Sequence, residues 1–120
     1  MTKLTQSDLD QFSGTDNWYE HQSRMLYTDG VKFMAERGGA YWLIDAIASY
    51  QWDRRIRSNQ MLLEFQLWEL KVKDNKATLT LRTDTGEPPM ITQRIPYTDF
   101  PLESIKLYVE NNTLLLPSEH

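Results

Sequence analysis

The stretch Gly39-Ala-Tyr-Trp-Leu-Ile-Asp-Ala-Ile-Ala-Ser-Tyr-Gln51 constrains the fold more than any other. From Ala40 to Trp52 its polar residues are Asp45, Ser49 and Gln51. At helical spacing, i, i+3, i+4 and i+7 share a face. Leu43, Ile44, Ile47 and Tyr50 then form one broad apolar face, with Asp45, Ser49 and Asp53 on a narrow stripe opposite. Tyr41, Trp42 and Trp52 flank that stripe, and a helix apolar nearly all round is usually covered on more than one side. The stretch therefore predicts a central buried helix, with a sheet against Leu43, Ile47 and Tyr50 and other helices against its tryptophans. Asp45 is the one ionisable group in the run and is expected at a helix seam, bonded to a hydroxyl, an amide or an arginine. Gly38-Gly39 should end the preceding helix.

The flanking segments set the fold class. Ser7-Asp-Leu-Asp10 reads as a cap with acids in the first turn of a short helix. Thr15 reads as the cap of a helix over Asp16–Tyr27, and Thr28-Asp-Gly30 opens another over Val31–Arg37. Arg54 to Gln60 is a polar, basic connector. Beyond it the period changes to two, in strands over residues 63–73, 77–82, 91–95, 105–110 and 113–116. Asp74-Asn75 and Asn111-Asn112 supply residues that tolerate positive φ in tight hairpins. The expectation is one α+β domain over residues 1–120. Its N-terminal helices are followed by an antiparallel meander of four to five strands packed on the central buried helix. Leu43, Ile44, Ile47, Trp68, Leu70, Leu79, Leu81, Ile105, Leu107 and Val109 should form its core.

Two long blocks, Leu26–Gln51 and Tyr97–Glu119, together with Phe12-Ser-Gly-Thr15, resemble a family of small bacterial proteins catalogued as a domain of unknown function. The resemblance implies a single-domain protein of bacterial genomes and their mobile elements. It brings no activity, so it transfers no site residues.

Composition narrows the chemistry. The chain lacks cysteine, which removes disulfides, thiolate zinc sites and cysteine nucleophiles. Its longest apolar run, Ala40 to Ile44, is far too short to span a membrane, and the N-terminus has no apolar leader. The expected location is cytoplasmic. A net charge of −4 disfavours general nucleic-acid binding, which draws on phosphate neutralisation. The histidines are His21 and His120, without a two-histidine metal spacing, and His21 reads as a helix-surface or interhelical residue. Phosphate-loop, dinucleotide and nucleophile-elbow motifs are absent. Asn111-Asn-Thr113 fits a glycosylation acceptor but reads better as a turn.

No catalytic, cofactor-binding or metal residue is therefore assigned. The leading reading is a non-enzymatic interaction module with a protein partner. Its candidate contacts are the basic-aromatic cluster Trp52, Arg54, Arg55 and Arg57. One alternative is a small enzyme with a site around Asp45, Tyr41 and the Tyr97–Asp99 corner. The other is a nucleic-acid contact through the same three arginines.

Overall fold

The computed structural model describes residues 3–120. The chain is α+β, with a single sheet of seven strands in the order β1-β2-β7-β6-β3-β4-β5. The strands are β1 (Trp18–Glu20), β2 (Leu26–Thr28), β3 (Phe65–Lys73), β4 (Lys76–Arg82), β5 (Ile91–Ile95), β6 (Ser104–Glu110) and β7 (Thr113–Leu115). All neighbours are antiparallel except β2 and β7. The sheet thus has more strands than the expected four to five, and it is not a plain meander. After β5 the chain returns to the other side of β3, where β6 pairs along it from Phe65↔Glu110 to Lys71↔Ser104.

The alternating strands behave as their period requires. Ala77, Leu79 and Leu81 of β4, and Ile105, Leu107 and Val109 of β6, are buried, and so are Trp68 and Leu70 of β3. Every residue named above for the core is buried. The first half of β3 is covered on both faces, since Gln66 and Leu67 are both buried, and its pairing continues without a bulge. Asp74, Asn75, Asn111 and Asn112 all take positive φ, as two-residue turns of this hand demand.

The helices are α1 (Gln6–Asp10), α2 (Asp29–Gly38), α3 (Tyr41–Tyr50), α4 (Arg54–Arg57) and α5 (Gln60–Glu64). The α1 cap is Thr5 rather than Ser7, because Thr5 and Asp8 bond each other's backbone N–H in a capping box. Thr28 caps α2 by accepting the Val31 N–H. Gly39 closes it at φ 61°, which lets Ala40 N–H reach the Ala35 carbonyl at 2.8 Å. Arg54 to Gln60 is no plain connector: Asp53 and Asn59 cap α4 and α5, and buried Ile56 anchors the segment.

Two further expectations are corrected. The helix expected over Asp16–Tyr27 is the β1–β2 hairpin. Its aromatic residues pair across strands, with Tyr19 stacked on Tyr27 at 5.5 Å, and β2 gains a partner in β7 from the far end of the chain. The central helix α3 is buried on one side. Leu43, Ile44, Ile47 and Ala48 face the sheet, and the Tyr50 ring tilts against Trp68 at 5.5 Å. Tyr41, Asp45, Ser49 and Trp52, spaced four, four and three residues apart, lie outward.

Asp29, in the first turn of α2, ties down the loop before β1. It accepts the N–H groups of Asp16 and Asn17, the Asn17 side-chain amide and the Tyr19 hydroxyl. The Tyr19 bond and these amide donors hold its carboxyl below the usual range. At the other terminus Glu119 accepts from Thr28 Oγ1 (2.6 Å), Leu116 N–H (3.0 Å) and Gly30 N–H (3.1 Å). His120 Nε2 lies 2.5 Å from Glu110 Oε1.

Candidate interaction site

Three distant segments meet where α3 ends. They are the tip of the β1–β2 hairpin, the run from Gln51 to Arg57, and the β6–β7 turn. Ser23, Arg24, Gln51, Trp52, Arg57, Leu63, Gln66 and Asn112 line a cleft of about 200 Å³ between them.

The floor is fixed by amides. Gln66 is buried on the core side of β3, and its side chain uses all its bonding positions. Its amide donates to Gln51 Oε1 (2.7 Å) and to the Leu62 carbonyl (2.9 Å). Its oxygen accepts from Gln51 Nε2 (2.9 Å) and the Trp68 indole N–H (2.8 Å). A fully satisfied buried amide is rigid and specific, whereas a half-satisfied one is costly.

The hairpin wall is pinned from two sides. Arg24 sits at φ 80°, a left-handed conformation that costs a residue with a Cβ on the order of 1–3 kcal/mol. Its N–H donates to the His21 carbonyl at 2.8 Å, and its carbonyl accepts from the Asn112 side chain at 3.0 Å. His21 in turn is held by Asp45. Ser23 N–H donates to His21 Nδ1 at 3.0 Å, which leaves Nε2–H to donate to Asp45 Oδ1 at 2.7 Å. Asp45 is thus not in a helix seam: its side chain is 69% exposed and clamps the hairpin to α3. His21 stands at the end of a strand, not on a helix.

A hydroxyl, an imidazole and a carboxylate in contact invite a catalytic reading. Ser23 Oγ lies 2.9 Å from His21 Nδ1. Yet Nδ1 already receives the Ser23 N–H, and Ser23 Oγ already receives the Met25 N–H at 3.3 Å. These bonds close the hairpin turn, a structural use for the same three groups.

Trp52 and Arg57 form the opposite rim. Trp52 is 65% exposed, and the Arg57 guanidinium lies over its ring, 5.5 Å from the centroid. The other two predicted arginines diverge. Arg55 is bound to Asp53 through two side-chain bonds, 2.8 and 2.9 Å, and Asp53 also accepts its backbone N–H. The Arg55 side chain and its N–H pull the Asp53 carboxyl down to about 2. Arg54 is exposed and stands outside the cleft lining. Among the described residues no carboxylate pairs with Arg24 or Arg57. Sequence reasoning missed Arg24 because it placed residues 16–27 in a helix.

Of the alternative site's residues, Asp99 shares a hollow with Glu36, while Tyr41 and Asp45 make separate contacts. Tyr41 donates to Glu36 at 3.4 Å, and Asp45 bonds His21. Thr98 is buried against the β3–β4 turn, its N–H on the Asn75 carbonyl at 2.8 Å, while Tyr97 and Asp99 point to solvent. Burial and the Glu36 charge raise the Tyr41 hydroxyl's pKa, opposite to what a phenolate base needs. Among the described residues no three His, Asp or Glu side chains converge to hold a metal, and no helix is long and apolar enough to cross a membrane. A second hollow of about 210 Å³ lies between α1, β6 and the C-terminal turn, lined by no aromatic side chain.

Fold and cleft together define a small α+β domain that presents an exposed Trp–Arg stack beside a second free arginine. The chain belongs to a family of unknown function (DUF6876), whose model matches residues 3–120. No curated protein and no solved structure matches it.

Proposed function

We propose that this protein is a non-enzymatic interaction module of a bacterium or mobile element, and that it holds a protein partner against the surface of Trp52, Arg57 and Arg24. The observation that carries this reading is Trp52 itself. A large indole is left in solvent, ordered by the guanidinium above it, at the mouth of a cleft with a rigid floor. Tryptophan and arginine side chains beside pockets are the residues that concentrate binding energy at protein interfaces. Nucleic acid is the weaker reading, because Arg55 is already occupied by Asp53 and the net charge is −4.

The test is affinity capture from lysate of the native cell with the parent protein, Trp52→Ala and Tyr97→Ala. Tyr97 is equally exposed, at 69%, but lies away from the cleft. A partner retained by the parent and by Tyr97→Ala should be lost by Trp52→Ala, since truncating an interface tryptophan costs about 2 kcal/mol or more. A partner captured equally by all three proteins would defeat the reading.

A further inference from the structure

We propose that the cleft binds a carboxylate of an acidic peptide segment, using the guanidinium groups of Arg24 and Arg57, with the neighbouring part of the peptide lying on Trp52. The assignment rests on the Trp52 surface being the contact site and specifies what that surface recognises.

The cations come first. Arg24 and Arg57 reach the cleft from different elements, and neither is neutralised by a carboxylate among the described residues. What the cleft adds is convergence, since two arginines from distant parts of the chain line one hollow of about 200 Å³. Arg57 is positioned at its side chain and Arg24 at its backbone. Arg57 is held over the Trp52 ring, which occupies the guanidinium face and leaves its N–H edge free. The Arg24 backbone is held in a strained conformation by His21 and Asn112, and His21 by Asp45. These bonds fix where the Arg24 side chain leaves the backbone, at the cleft wall.

The rest of the cleft decides among anions. The Gln51 and Gln66 amides are spent on each other and on the core, and the Asn112 amide on the Arg24 carbonyl. The first turn of α4 is filled by the Asp53 carboxylate, which accepts the Arg55 N–H. Among the described residues the cleft lining shows no helix N-terminus with free N–H groups of the kind that cradles a phosphate dianion. A guanidinium fork takes a carboxylate or a phosphate with two parallel bonds, so the neighbouring groups decide between them. The exposed indole beside it suits the apolar part of a peptide better than a small inorganic anion.

The experiment is a nuclear magnetic resonance titration of the full chain. It follows the Arg24 and Arg57 Nε–H signals and the Trp52 indole N–H. The probes are an acetylated, amidated tetraglutamate peptide, inorganic phosphate and a tetralysine peptide. Tetraglutamate should shift all three signals saturably. Arg24→Gln and Arg57→Gln should each weaken that binding by about tenfold, as loss of a charge-assisted pair predicts. Both substitutions are at exposed positions, and retained amide dispersion certifies their fold. No saturable shift with tetraglutamate, or an equal response to phosphate, would overturn the proposal. The two readings fail separately. A partner lost by Trp52→Ala but held normally by the double arginine variant overturns the carboxylate site alone. Tetraglutamate binding to a protein whose capture ignores Trp52→Ala supports the carboxylate site and removes the interaction reading.

Discussion

Replacing Gln66 by leucine tests whether the cleft floor is built as described. Leucine is close in size and more apolar, so a simple burial argument predicts a stabilised protein, by about 1–2 kcal/mol for the added apolar surface. The hydrogen bonds predict the reverse. The substitution strands the Trp68 indole N–H and the Leu62 carbonyl, both in fully buried residues. Each orphaned group costs about 1–3 kcal/mol. Gln51 is half-buried and can turn to water, so its loss adds little. Two such groups cost about 2–6 kcal/mol together, so the net expectation is a loss of roughly 0–5 kcal/mol, centred on about 2–3. Urea unfolding followed by tryptophan fluorescence measures it, with Gln51→Ala as the comparison, which leaves one buried Gln66 N–H without its acceptor and should cost about 1–3 kcal/mol. A Gln66→Leu protein more stable than the parent, as burial alone predicts, would refute the claim that this amide is a structural requirement.

Other expectations follow from single contacts. Ile47→Ala, at a fully buried position of α3, should cost about 2–5 kcal/mol in the same assay, and a loss under about 1 kcal/mol would put the wrong face inside. Glu119→Ala removes the acceptor for Thr28, Gly30 and Leu116 and should destabilise by about 1–3 kcal/mol, visible as lower thermal midpoint and faster amide exchange at the start of α2. Asp53 should titrate near 2 in a carboxylate-detected pH series. Because its folded pKa is depressed, its contribution to stability is complete above the ordinary carboxylate range and is lost as pH falls toward 2. Arg55→Ala should return the midpoint toward about 3.9, and an unmoved midpoint would deny the pair its role.

The strands β3, β4 and β6 were legible because alternation is local: Leu79, Leu81, Leu107 and Val109 announce their face without knowledge of any partner. The two Asn-containing turns were legible for the same reason. The β1–β2 hairpin was not. Its stability depends on β2 pairing with β7, and nothing near Tyr27 in sequence reveals Leu114. Arg24 was hidden with it. The environment of Asp45 was misjudged although its stripe was placed correctly. Tyr41 and Trp52 fall at helical spacing with Asp45 and Ser49, so the aromatics are part of the exposed stripe rather than its cover. Of the predicted contact residues, Trp52 and Arg57 come together, while Asp53 withdraws Arg55. Gln66 did carry a signal: it stands in phase with Trp68 and Leu70, and a polar residue in a buried phase must be paired.

Hydrogen exchange of the free protein and of its complex with a captured partner tests the central claim most directly, because it locates the contact surface without a substitution. The account predicts slowed exchange at Ser23–Arg24, Gln51–Ser58 and Asn111–Asn112, the segments that form and border the cleft. Protection confined to the edge strand β5 or to the Tyr97–Asp99 corner, with the Trp52 surface unchanged, would contradict it.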